Sequence, residues 1–158
     1  MKSAHLIFVM LLFVVGAVLS GCSKEPTEDE LLKSATRSFS EDDFDKALDD
    51  FSLLTKRYPK SDKVPEALYA MGVIYSNKKK EYTKAESIYT KLAMEYPDDP
   101  TAASAAYQRA RIFAQHLKKP DSAIAAYEYC LRRYPSAMSA SAAQTELNEL
   151  KKPSKPSK

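Results

Sequence analysis

Three features recur together at a step of 38 residues: an alanine at Ala47, Ala85 and Ala123, an aromatic four residues on at Phe51, Tyr89 and Tyr127, and a closing pair at Tyr58-Pro59, Tyr96-Pro97 and Tyr134-Pro135. Unrelated segments rarely keep three features in register over three copies, so the chain is read as stacked copies of one supersecondary unit. Each copy then buries its apolar face only against its neighbours, and the last needs a cover. The repeat sets the architecture and says little about chemistry.

Within the copies the apolar spacing is helical. Phe44, Ala47, Leu48, Phe51 and Leu54 recur at three and four residues and share one face. Tyr58-Pro59 ends this helix, because proline lacks the amide that would continue the ladder and disfavours helical geometry in the residue before it. A partner helix precedes each such segment. The first runs from about Glu28 to Phe39 with Leu32, Ala35 and Phe39 on one side, the second starts after Ser61 and carries Ala67, Leu68, Met71, Gly72 and Tyr75, and the third carries Ala105, Ala106, Ala110 and Phe113. Pro120 opens a helix with Ala123, Ile124, Tyr127 and Leu131. Ser40 with Asp43 fits a capping-box variant, and Asp99 fits an N-cap with Pro100 at the first helical position. The repeated alanines fall where antiparallel helices approach most closely, with Gly72 and Ala110 opposite. Gly72 to Ala85 and Ala110 to Ala123 both span 13 residues but Ala35 to Ala47 spans 12, so the first copy is expected to have a turn one residue shorter. Residues 138–150 place Ala140, Ala143, Leu147 and Leu150 on one face and read as a closing helix, in register with Ala67 and Ala105.

Ahead of the repeats, Lys2 is followed by an apolar run from Leu6 to Leu19. That is shorter than the roughly 20 residues a bilayer span needs and fits the core of a secretory signal. Leu19-Ser20-Gly21-Cys22 resembles the bacterial lipobox, in which the cysteine sulfur takes diacylglycerol and cleavage leaves it as the new N-terminus. An uncleaved anchor with an incidental cysteine is the alternative. The chain thus divides into a signal peptide at 1–21, a lipidated tether at 22–27, a repeat domain at 28–150 with copies at 28–59, 62–97 and 100–135 and a cap at 138–150, and a disordered basic tail at 151–158.

The formal net charge is +3, and Lys151, Lys152, Lys155 and Lys158 all lie in the tail. The folded part is close to neutral, which argues against a nucleic-acid surface. The tail either contacts anionic envelope polymers or is simply solvated. With Cys22 lipidated, Cys130 has no partner in the chain and reads as a small core residue rather than a reactive thiol. Enzyme chemistry finds no foothold. His5 leaves with the signal and His116 is alone, so neither a multi-histidine metal site nor a histidine-based nucleophile can be assembled. Asp42-Asp43 and Asp98-Asp99 stand at helix starts, where helix amides favour negative charge. Two of the three glycines lie in the signal, which excludes a glycine-rich phosphate loop. No enzyme activity, cofactor, metal or small-molecule substrate is expected.

Met71-Gly72-x-x-Tyr75, then Ala85, Tyr89 and Pro97, resemble the Leu-Gly-x-x-Tyr, Ala, Phe and Pro pattern of tetratricopeptide repeats, at a step of 38 rather than the usual length of about 34. The longer unit, aromatic-x-x-Ala-x-x-x-aromatic followed by Tyr-Pro, resembles repeats of the outer-membrane assembly lipoprotein family BamD (YfiO) and of the Tol-Pal-associated CpoB. The likeness covers about residues 28 to 150. It implies an all-α fold, a right-handed α-α superhelix of about three helix pairs plus a C-terminal capping helix.

In tetratricopeptide arrays the first helix of each pair lines a concave groove. By resemblance the groove takes Leu32, Thr36 and Phe39 from the first copy, Glu66, Tyr69, Val73 and Ser76 from the second, and Ser104, Tyr107, Arg111 and Gln115 from the third. Tyr69 and Tyr107 are in register and Arg111 lies one turn beyond. Such a set suits an extended or helical peptide, with the guanidinium on a carboxylate or carbonyl; tyrosines packed between repeats beside a solvated Arg111 are the other reading. The resemblance implies a lipid-anchored scaffold on the outer membrane, facing the periplasm, that binds another envelope protein in β-barrel assembly or envelope biogenesis. Ser23 after the cysteine resembles the outer-membrane sorting signal of enterobacteria. The alternatives are a structural or peptidoglycan-associated lipoprotein and a pilotin-like, secretion or Tol-Pal adaptor.

Overall fold

Seven helices and no strand occur in residues 25–152, the part of the chain that the computed structural model describes. The proposed signal peptide, Cys22 and residues 153–158 lie outside it. Helix α1 spans Glu28–Ser40, α2 Phe44–Arg57, α3 Val64–Val73, α4 Tyr82–Glu95, α5 Ala102–Arg111, α6 Pro120–Arg133 and α7 Ala140–Lys151. Each packs against the next in sequence, giving three pairs and a closing helix. The all-α array of tetratricopeptide type is thus the fold.

The alanines behave as small contacts between close helices: Ala47, Ala85 and Ala123 are all fully buried, as are Ala35 and Ala110 on the partner helices. Phe51, Tyr89 and Tyr127 fill the space beside them and are themselves buried. Two apolar clusters result. One joins the first two pairs and reaches Ala105 and Ile112 on the third, and the other joins the third pair to α7 through Ala143 and Leu147. Cys130 is fully buried in the second cluster, and burial raises its thiol pKa, as an inert core thiol requires. In α1 the buried residues are Leu31, Ala35 and Ser38, while the expected Leu32 and Phe39 are half-buried flanks. The apolar face is turned by one residue, because Leu31 and Leu32 offer the periodicity two equally good starts.

The 12-against-13 spacing has a different cause from a shortened turn. In α3 and α5 the last turn widens into a π-helix, at Ile74–Lys78 and Ile112–His116. The Lys79 and Leu117 amides there donate five residues back, to the Ile74 and Ile112 carbonyls. In the first pair the Glu41 amide still donates four residues back, to Arg37. The extra residue of the later copies therefore sits inside the helix end as a π-turn. All three turns then pass through a left-handed residue at the same register, Asp42, Lys80 and Lys118, with φ of 59°, 58° and 53°.

Two caps differ from expectation. Asp43 alone caps α2, accepting from the Lys46 amide, while the Ser40 hydroxyl donates back to the Arg37 carbonyl. Asp99 accepts from the Thr101 amide and so closes the turn before α5, which begins at Ala102 rather than at Pro100. At the far end, α7 carries Gln144 and Asn148 where α3 has Leu68 and Gly72, and α5 has Ala106 and Ala110. The Gln144 side chain donates to Asn148 at 2.9 Å and both are exposed. Polar residues at the crossing positions make α7 a terminus, since a further helix could not close on them without desolvating two amides.

Gly72 shows how tightly the second pair is closed. A Cβ placed there would lie 2.5 Å from a Tyr89 ring carbon and within 2.9 Å of two more. Tyr89 is only 1% exposed, so its ring has no room to withdraw. Overpacking costs about 1–3 kcal/mol, against a gain in helix propensity of at most about 1 kcal/mol. Gly72→Ala is therefore expected to lower the denaturation midpoint, although alanine is the better helix former; a midpoint equal to or above the parent's would contradict the crossing.

Candidate functional site

The first helices of the pairs carry the expected groove residues, and the structure sorts them by what they touch. Tyr69 on α3 is half-buried, with its ring tilted against Tyr89 at 5.9 Å between centroids. Tyr107 on α5 repeats this against Tyr127 at 6.2 Å. Each register thus pairs a half-exposed tyrosine with a buried one, the inner ring holding the outer in a fixed plane. Glu66 and Thr36 are exposed, and Val73 and Ser104 are half-buried. Ser76 is buried and donates to the Val73 carbonyl and to the Asn77 side chain. Leu32 and Phe39 pack against the first cluster, Phe39 lying edge-on to Phe44 at 5.9 Å.

The third copy is occupied in a way the sequence reading did not anticipate. Glu146, on α7, accepts from the Tyr107 hydroxyl at 2.6 Å through one oxygen and from the Tyr127 hydroxyl through the other. Arg111 lies over the Tyr107 ring at 5.8 Å, with its Nε 3.9 Å from the Glu146 carboxylate, and it donates to the Gln108 and Gln115 amide oxygens at 3.4 and 3.3 Å. Tyr107, Arg111 and Gln115 are thus brought together, but around a carboxylate of the chain itself. Between α5 and α7 a cleft of about 580 Å³ opens, lined by Gln115, Lys118, Glu146, Glu149 and Leu150 among others. Glu66 and Tyr69 belong to the preceding copy, outside this cluster. Glu146 was legible only as a polar residue flanking the Ala143 and Leu147 stripe; that it completes a polar cluster depends on tertiary geometry.

Burial, and then the Glu146 carboxylate, push the Tyr107 phenol up to about 12, and the same two causes raise Tyr127. Burial likewise holds Tyr89 and Tyr134 at about 12. These groups are neutral in both states below pH 10. As the pH climbs from 10 towards 12 the unfolded chain releases phenolic protons that the folded chain retains, so stability falls. The melting temperature is expected to drop steeply across this window, with the last part of the tyrosinate absorbance appearing only together with loss of helix; ionisation of all ten tyrosines in a fully helical protein would contradict the buried hydroxyl contacts.

His116 stacks on Tyr82 of the preceding copy, 3.9 Å between centroids and 3° from parallel, and Lys78 at the equivalent position sits over Phe44 at 4.8 Å. Burial lowers the His116 pKa, helped by Lys80, Arg111 and Lys118. Its role is therefore packing between copies. Among the described residues no group of three or more His, Cys, Asp or Glu is placed to hold a metal ion, and no helix is long and apolar enough to cross a membrane.

Comparison with known proteins adds three findings. The family model YfiO, outer membrane lipoprotein, matches residues 24–153. No curated protein matches the chain. Among solved structures, a tetratricopeptide repeat protein from Parabacteroides merdae superposes with a TM-score of 0.64 at 17% identity, over 78% of this chain and 45% of that one. The chain thus spans less than half the length of that protein, and the likeness is one of fold.

Proposed function

Because the chain belongs to the YfiO outer membrane lipoprotein family, we propose that it is a lipid-anchored scaffold facing the periplasm, which binds another envelope protein along its first helices in outer-membrane protein assembly or envelope biogenesis. Its coarser character, a tetratricopeptide-type interaction scaffold, follows from family and fold together. The anchor is diacylglycerol on Cys22, with signal peptidase cutting after Gly21. One acyl chain gives only marginal attachment, whereas the two or three on such a cysteine hold the domain stably at the bilayer.

The observation that carries the binding site is the pairing of outer and inner tyrosines. Tyr69 and Tyr107 present rings already held by Tyr89 and Tyr127, so little side-chain freedom is lost when a partner covers them. Since Tyr107 and Arg111 already engage Glu146, the accessible stretch centres on Tyr69, with Glu66 and Val73 one turn to either side on the same helix. A peptide laid there meets a flat aromatic surface with one carboxylate at its edge. This suits an extended or helical segment carrying an apolar anchor and a lysine or arginine.

The test pairs capture with substitution. The lipidated chain is used to recover its partner from solubilised envelopes, and the affinity for that partner is then measured for Tyr69→Ala and for Lys91→Ala, a lysine exposed on the second helix of the same pair. Tyr69→Ala is expected to weaken binding about 30-fold or more, equivalent to about 2 kcal/mol, in a protein that still folds, with its melt lowered only by the lost contact with Tyr89. Equal loss from Lys91→Ala, or a Tyr69→Ala protein that no longer folds, would overturn the groove reading.

A further inference from the structure

The N-terminal segment expected to be a loose tether is clasped to the domain almost as soon as it leaves Cys22. Glu25 forms an ion pair with Arg57 at the end of α2. The next carbonyl, that of Pro26, accepts the Tyr58 hydroxyl at 2.9 Å. Thr27 then begins a complete capping box, its side chain accepting from the Glu30 amide while the Glu30 carboxylate accepts from the Thr27 amide at 2.8 Å. Three consecutive residues are therefore tied to the first helix pair.

Each tie recurs once between later copies, while Tyr134, the third tyrosine in this register, donates instead to the Ala93 carbonyl in α4. Tyr96, in register with Tyr58, donates to the carbonyl of Pro59 in the preceding Tyr-Pro loop. Arg133, in register with Arg57, pairs with Asp98 in the loop before it at 2.7 Å. Glu25 and Pro26 thus take the positions that a preceding copy's loop would take. The stem is built into the array as if it were the end of another repeat.

We propose that this clasp fixes how the domain stands on its membrane: the bilayer headgroups face the edge formed by the start of α1, the end of α2 and the loop at 58–63, and the opposite edge, with the turns at 41–43, 79–81 and 117–119, faces away. The proposal rests on the Cys22 anchor proposed above. Only Ser23 and Lys24 separate Cys22 from Glu25, so the Cα atoms of Cys22 and Glu25 lie within about 11 Å of each other even when that stretch is fully extended. The two edges are about 20 Å apart, the length of the 13-residue α1. A stem shorter than the domain, with its upper end pinned, cannot let both edges visit the surface equally. The first helices then run along the membrane-to-periplasm direction, leaving the Tyr69 surface open sideways to a partner held at the same membrane.

The full-length chain, processed in cells, purified in detergent and reconstituted into phosphatidylethanolamine and phosphatidylglycerol vesicles, gives the test. Lys60→Cys and Lys80→Cys variants, which flank α3 on the two edges, are each labelled with a fluorophore and quenched by a headgroup-nitroxide lipid; the native Cys130 is fully buried. Strong quenching at 60 with near-background quenching at 80 is expected, and that difference should narrow in the double variant Arg57→Gln, Tyr58→Phe, in which the stem is free as far as Thr27. Equal quenching at the two positions in the otherwise native protein, or a difference that is unchanged in the double variant, would overturn the clasp. The mass of the N-terminal peptide is read on the same sample: a missing acyl mass overturns the anchor itself, whereas an acyl mass with equal quenching overturns only the fixed orientation.

Discussion

Ala85→Trp and Ala123→Trp are each expected to break the array. Both alanines are fully buried at helix contacts of successive pairs, and the rings that share their space, Tyr89 and Tyr127, are at most 1% exposed. Overpacking by a few atoms costs about 1–3 kcal/mol, and an indole exceeds that, against a total stability of only about 5–15 kcal/mol. Because stability in a solenoid is a sum of nearest-neighbour terms, the damage should follow the two clusters. Ala85→Trp strikes the one that joins α1 to α4, and Ala123→Trp the one that joins α5 to α7. Hydrogen exchange on the variants checks this: protection is expected to fall first in α3 and α4 for the former and in α6 and α7 for the latter. Parent-like melting would mean that the repeat register has been misplaced.

Glu146→Ala carries the second large effect. The substitution takes the acceptor from the Tyr107 and Tyr127 hydroxyls at once and removes the carboxylate beside Arg111. A buried donor left without a partner costs about 1–3 kcal/mol, and the Glu146 side chain is 32% exposed, so water relieves part of it. A destabilisation of about 2 kcal/mol is expected, concentrated in α7, whose buried apolar contacts are only Ala140, Ala143 and Leu147. Glu146→Gln keeps an acceptor and should cost less. Urea denaturation of the pair reads the difference, and equal midpoints for parent and Glu146→Ala would show the cluster to be idle.

The 38-residue step made the helix pairs, the buried alanines and the Tyr-Pro boundaries legible, because each is a local pattern that recurs in register. The π-turns were not, since the sequence carries only an added residue and the choice between turn and helix end is made by backbone hydrogen bonds. Leu31 and Leu32 could not be ranked by periodicity, because neighbouring leucines start the same stripe. The groove residues named from resemblance do lie on the first helices, yet Tyr107 and Arg111 face a carboxylate 35 or more positions along the chain, which no local pattern reveals. The Glu25-Pro26 clasp stayed hidden for the same reason: its composition is that of a polar linker, and only the packing of Arg57 and Tyr58 makes it part of the fold.

The central claim is that the face of the first helices around Tyr69 is where the partner binds. Photo-crosslinking in intact cells tests it most directly, with a photoreactive residue placed in turn at position 69, at position 66 and at position 91 on the second helix of the same pair. One envelope protein crosslinked from 66 and 69 and absent from 91 is the expected result. Adducts from 91 alone, or the same adducts from all three positions, would contradict a groove on the first helices.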